Sequence, residues 1–238
     1  MSLEAAANGT AELAELYRNR FDDHEIAGKR ALWRCLVNRV FQQYVPTDGV
    51  VVDLGAGHCE FINEVTASRK IAVDLNPEIR EHAHADVDVL TCSSTNLAEI
   101  SNASVDTVFT SNFFEHLRSK DELLDTLRES HRVLRPGGRI VVLMPNLRYL
   151  HGRYWDYLDH YLPLTHLSLA EALRLSAFNV ERCVPRFLPF TVKDSPFPVT
   201  EGLVATYLAM PFVWPILGRQ MLLVASKPEV PRVVPLEG

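Results

Sequence analysis

Basic residues are in short supply in this chain: 24 Lys and Arg face 30 Asp and Glu, giving 238 residues a formal net charge of −6. Proteins that bind polyanions normally carry a basic face, so nucleic acid is the least favoured substrate class, although a local basic patch stays open. Cysteine is sparse as well. Cys35, Cys59, Cys92 and Cys183 form no C-x-x-C pair, which argues against a zinc knuckle or a dithiol motif. They read as buried free thiols in a reducing cytoplasm. The longest uncharged stretch, residues 203–217, is too short to span a bilayer and is broken by Pro211 and Pro215. It reads as buried or interfacial, with a peripheral membrane contact or a weak homodimer left open beside a plain monomer. The start, MSLEAAANGT, has no basic run followed by an apolar stretch, so no signal peptide is expected. No repeat or low-complexity segment stands out.

What is present is the composition of an ordinary globular protein, 47% hydrophobic and 23% charged, long enough to bury a full core. Residues 11–44 have helical periodicity: Leu32, Leu36 and Val40 share a face. Pro46, Asp48 and Gly49 then mark a turn. Short apolar runs at 50–54, 71–75, 87–91, 107–111 and 139–144 alternate with helical segments, notably 60–67 and 120–134. Near-continuous apolar strands between helices predict a parallel sheet covered on both faces, and right-handed crossovers make it doubly wound. A helix over 167–177, a strand over 180–187 and a final strand over 220–226 follow, with Pro-rich apolar sequence between the last two.

The main chemical signal is Val50-Val51-Val52-Asp53-Leu54-Gly55-Ala56-Gly57, a buried strand running into a glycine turn and a helix. Glycines let backbone approach a ligand closely, and open α/β sheets bind ligands beyond the carboxyl ends of their strands. A bare tight turn is the competing reading. Asp53 at the strand mouth suits a cationic ligand rather than a pyrophosphate. Asp74 at the end of the second strand suits a pair of ribose hydroxyls. Glu60 leaves the dinucleotide fingerprint Gly-x-Gly-x-x-Gly incomplete.

With VVDLGAG followed in order by IAVDLNP, DTVFTSNFFEHL and HRVLRPGGRIVVLMPN, residues 45–146 resemble the class I S-adenosylmethionine (SAM)-dependent methyltransferases. They look most like small bacterial members met beside sugar-modifying enzymes. The resemblance implies a Rossmann-like α/β fold whose seven-stranded, mostly parallel sheet ends in an antiparallel strand. It implies one domain over 1–238: a helical cap (1–44), a SAM-binding core (45–146), a substrate-side half with inserts (147–228) and a loose tail (229–238). It implies that Asp53, Gly55, Ala56 and Gly57 line the methionine end of SAM, that Asp74 holds the ribose, and that Leu75 lies beside the adenine. Ser93 and Ser94 would flank the adenine, and Ser111 and Asn112 would face the sulfonium and the substrate. Residues 17–21 resemble a lid helix, although core contacts explain Tyr17 and Phe21 equally well. Cys59 departs from the family, which often has a third glycine there.

A hydroxyl acceptor needs a base; the candidates are His116 in Phe114-Glu115-His116-Leu117, against a plain helix-start histidine, and the cluster Asp156, Asp159, His160, Tyr161 and His166. Glu115 reads as support for the first turn of the next helix. The segment 151–161 mixes aromatics with Asp and His, so Tyr154, Trp155, His160 and, further on, His166 are candidate substrate contacts, against simple packing. No two histidines have convincing metal-ligand spacing, so no metal is expected. The expected activity is methyl transfer to a small molecule or glycan precursor. The alternatives are a non-catalytic SAM-binding protein, or an NAD-dependent oxidoreductase or epimerase, which the missing Tyr-x-x-x-Lys pair disfavours.

Overall fold

Apolar runs that alternate their side chains across two buried faces make the framework of this protein. The computed structural model describes residues 23–190 and 200–229. The strands are β1 (Val50–Leu54), β2 (Arg69–Asp74), β3 (Val87–Thr91), β4 (Val105–Ser111), β5 (Leu134–Pro145), β6 (Asn179–Val184) and β7 (Gln220–Ser226). They form one sheet in the order β3-β2-β1-β4-β5-β7-β6. β1 pairs in parallel with β2 and β4, and β4 with β5, while β7 runs antiparallel to both β5 and β6. The seven-stranded Rossmann-like architecture expected from the sequence, antiparallel last strand included, is the one observed.

The order reverses between β1 and β4, which opens a crevice beyond their carboxyl ends. Val52, Leu54, Ile140 and Val142 pack on one face against Leu123 and Leu127 of α4 (Lys120–Val133) and Leu169 and Leu173 of α6 (His166–Leu175). Val51, Val141 and Leu143 point the other way, toward Leu36 of α1 (Asp23–Leu36) and Phe61 and Ile62 of α2 (Glu60–Glu64). Phe61 stacks on Phe109 of β4 with ring centroids 3.6 Å apart. The short helices α3 (Ile79–His82) and α5 (Leu147–Leu150) follow β2 and β5; α7 (Glu201–Leu208) and α8 (Trp214–Leu217) lie between β6 and β7.

Several boundaries differ from expectation for local reasons. Helix α2 stops at Glu64, where Val65 turns extended while its N–H still donates to the Phe61 carbonyl. β5 starts five residues early, at Leu134, which pairs with Val105 before a register shift. β6 stops at Val184, before Pro185, which has no N–H to give the ladder. The 203–217 segment is divided between inside and outside. Val204 is buried, whereas Phe212 and Ile216 are exposed. Trp214 faces inward: its indole N–H donates to the Tyr207 carbonyl at 3.1 Å and its ring meets Phe187 edge-on. No described helix is long and apolar enough to cross a membrane. The candidate lid at 17–21, the first half of the 1–44 cap and nearly all of the 229–238 tail lie outside the described residues.

Candidate active site

The turn after β1 is held by backbone geometry that few residues tolerate. Gly55 and Gly57 both lie at positive φ, +66° and +51°. The Gly55 and Ala56 N–H groups donate to the Val73 carbonyl of β2, at 2.9 and 3.2 Å. A Cβ on Gly55 would lie 2.4 Å from the Phe113 ring, so glycine is required by a side chain arriving from the end of β4. This is a different reason from the ligand approach inferred from sequence. A Cβ on Gly57 would meet nothing within 4 Å, so that glycine faces open space. Cys59, where the resembling family often has glycine, is itself left-handed at φ 60°, ψ 24° and fully buried. Its thiol reaches the Ile79 carbonyl at 3.9 Å. The backbone here therefore keeps the glycine conformation and carries a small side chain inward.

Asp74 latches this turn to β2. One carboxylate oxygen accepts from the Gly57 N–H and the other from the Asn76 N–H, both at 2.9 Å. Each oxygen keeps a second lone pair, enough for two vicinal hydroxyls. Leu75 beside it is 58% exposed, an apolar face with no protein cover. Asp53 lies beneath the turn, 3% exposed. Burial, with Glu60 and Asp74 nearby, pushes its carboxyl well above the ordinary range, although an Ile62 backbone hydrogen bond opposes this. Three acids beside one glycine turn suit a cationic ligand and repel a pyrophosphate. The residues present therefore fit SAM, whose ammonium and sulfonium are cations and whose ribose offers two hydroxyls.

Ser93 is half-buried and its hydroxyl pairs with that of Thr95 at 2.8 Å. Ser94 is buried and turns away from the crevice, its hydroxyl meeting Thr126 of α4 at 2.8 Å. Asn112 ends β4 at φ 48° and is exposed; its side-chain amide donates to the Ser111 hydroxyl at 3.1 Å.

Next to this edge the chain assembles a polar cluster. His116 Nδ1 lies 2.9 Å from the Asp159 carbonyl and 3.3 Å from an Asp159 carboxylate oxygen. Both are acceptors, so the Nδ1 of a neutral ring carries the hydrogen and Nε2 the lone pair. His160 packs edge-on to His116, centroids 5.2 Å apart, and its Nδ1 lies 2.9 Å from the Tyr154 carbonyl. The same tautomer follows. Glu115 is 1% exposed and burial pushes its carboxyl up to about 7. Its backbone carbonyl accepts from Tyr161 and Leu162 N–H at 2.8 and 3.1 Å, clamping the loop after β5 to the end of β4.

Two sequence expectations fail here. Glu115 does not serve the next helix. Ser119 caps that helix by accepting from the Glu122 N–H, and the Glu122 carboxylate accepts from the Arg118 N–H. Tyr154 is fully buried and its hydroxyl donates to the Leu162 carbonyl, so its ring offers no face to a substrate. Trp155 is 55% exposed. His166 is buried at the start of α6, where its Nδ1 accepts from the Asn146 side-chain amide at 3.0 Å. Asn146, wholly buried and also donating to the Pro185 carbonyl at 2.8 Å, carries no sequence motif that would have singled it out.

Comparison with known proteins agrees with this geometry. Residues 52–142 match the family of the methyltransferase domain. Structural similarity extends to a SAM-dependent methyltransferase of Thermotoga maritima, with a TM-score of 0.64 and 17% identity over 91% of this chain and 96% of that one. A SAM-dependent methyltransferase of Archaeoglobus fulgidus gives 0.63 and 19% over 83% and 94%. Geranyl diphosphate C-methyltransferase of Streptomyces coelicolor, solved with Mg2+, geranyl diphosphate and S-adenosyl-L-homocysteine, gives 0.54 and 16% over 78% and 73%. No curated protein sequence matches. Residues 52–142 carry the match to the methyltransferase domain, and the fold around them is the one these SAM-dependent methyltransferases share.

Proposed function

We propose that this protein transfers the SAM methyl group to a hydroxyl of a small molecule or glycan precursor, with 1–238 acting as one domain in the cytoplasm. The observation that carries the reading is the His116–Asp159 pair at the end of β4, beside the crevice. Asp53, Gly55, Ala56 and Gly57 hold the methionine end, Asp74 the ribose and Leu75 the adenine. Ser93 and the Ser94 backbone flank the adenine, and Ser111 and Asn112 face the sulfonium. Trp155 and His160, from the loop after β5, border the acceptor, and His166 supports that side through Asn146.

SAM held there by Asp53, the glycine turn and Asp74 would supply a methyl carbon activated by its sulfonium. His116 Nε2 takes the hydroxyl proton. Asp159 holds the ring in the tautomer that leaves Nε2 able to do so, and stabilises the imidazolium that results. The acidic balance of the chain favours a neutral or cationic acceptor over nucleic acid.

Calorimetric titration with SAM and with its demethylated product tests the cofactor site. Asp74→Ala should weaken binding by about 1–3 kcal/mol, the usual loss when hydrogen-bonded partners are stranded. Unchanged affinity in that variant, with folding intact, refutes the assignment.

A further inference from the structure

We propose that Glu115, His116 and His160 form a binding site for a divalent transition-metal ion of the zinc class, at the acceptor side of the crevice. The three residues can each offer one donor atom such that all lie within 4.8 Å of one another. Donors around a bound zinc ion sit about 2.0–2.2 Å from it, so small side-chain rotations close the set.

Three independent features make this a built site. The Nδ1 atoms of His116 and His160 each face a backbone carbonyl, Asp159 and Tyr154 respectively, which directs both Nε2 lone pairs outward from those bonds. Metal-bound histidines characteristically donate their other N–H in this way, to a carbonyl or carboxylate. Second, one Glu115 carboxylate oxygen is buried with no hydrogen-bond partner. A buried acceptor left so is costly, and a cation would satisfy it. Third, the loop bearing His160 is fixed to Glu115 by the two backbone hydrogen bonds from Tyr161 and Leu162. The ligands from the end of β4 and from the loop therefore share one rigid frame.

Two imidazoles and one carboxylate favour a borderline ion over Mg2+ or Ca2+, which prefer all-oxygen shells. Three protein donors leave a tetrahedral ion one open position, for water or for an oxygen of the acceptor. His116 is the most accessible of the three, which gives the ion an entry path. The inference rests on the methyl-transfer reading for its meaning. With the ion present, His116 is a ligand, and the acceptor hydroxyl is acidified by the ion with its proton released to solvent.

The test uses the full chain, stripped with chelator and dialysed, then titrated with Co2+ and followed by its visible ligand-field absorption, with Zn2+ as competitor. A single tight Co2+ per chain, displaced by Zn2+, is expected. Glu115→Gln, which keeps the side-chain volume, and His160→Ala should each weaken uptake by about 100-fold or more, and Asp159→Asn by about 10–100-fold through the His116 hydrogen bond. Circular dichroism verifies that each variant is folded. SAM calorimetry on the same samples separates the two ideas. No Co2+ or Zn2+ uptake by a wild-type chain that still binds SAM overturns the ion site alone. Uptake unchanged in both ligand variants overturns it as well, because the ion then sits elsewhere.

Discussion

Replacing Glu115 by Gln should change how stability depends on pH, and the size of the effect follows from burial. The Glu115 carboxyl has an ordinary value of 4.5 and is pushed up to about 7 in the folded chain, chiefly by desolvation. Between these values the folded state binds the proton and the unfolded state does not. Stability contributed by the neutral carboxyl is therefore fully present below 4.5, falls as pH rises, and is lost by about pH 8. A displacement from 4.5 to about 7 corresponds to about 3 kcal/mol. Gln mimics the neutral acid and does not titrate. Urea unfolding of both proteins in chelator, from pH 5 to pH 8, should show wild type losing about 2.5 kcal/mol more than Glu115→Gln. Parallel curves for the two proteins would mean that the carboxyl is solvated or paired in solution, and the enclosed cluster would be wrong.

Gly55→Ala should lower the melting temperature measurably and abolish SAM binding in calorimetry, because its Cβ would meet the Phe113 ring at 2.4 Å in a left-handed backbone. Gly57→Ala has no such neighbour and should lose only about 1 kcal/mol of stability in denaturant unfolding while still impairing SAM binding. His116→Ala should lower turnover in a methyl-transfer assay by about 100-fold or more while leaving SAM affinity near wild type. A matched loss of stability and of SAM affinity would return His116 to a structural role.

Much of the fold was legible because the strands announce themselves. Val50–Leu54, Val87–Thr91 and Gln220–Ser226 begin and end where their apolar runs do. Boundaries failed where a tertiary partner set the conformation, as when Leu134, ahead of a proline and two glycines, was drawn into β5 by pairing with Val105 of β4. Asp53, the glycine turn and Asp74 stood out by spacing and lie together in space. The Glu115–His116–Asp159–His160 cluster was only half visible, since its members come from positions 43 to 45 residues apart and meet through a loop with no regular period. Tyr154 misled for a related reason: an aromatic among charged neighbours looks exposed, and only the Leu162 carbonyl explains how its hydroxyl is buried. Ser94 behaved likewise, its hydroxyl answering to Thr126 rather than to a ligand.

The place of β7 has a consequence for how the chain is made. Of the described strands it is the last to leave the ribosome, yet it lies between β5 and β6 rather than at an edge. Until residues 220–226 emerge, β5 has an open flank and β6 has no strand to pair with, two unprotected edges on a half-built sheet. Completion of the sheet must therefore wait for residues 220–226 and then insert a strand between β5 and β6, a long-range step of the kind that slows folding and exposes chains to aggregation.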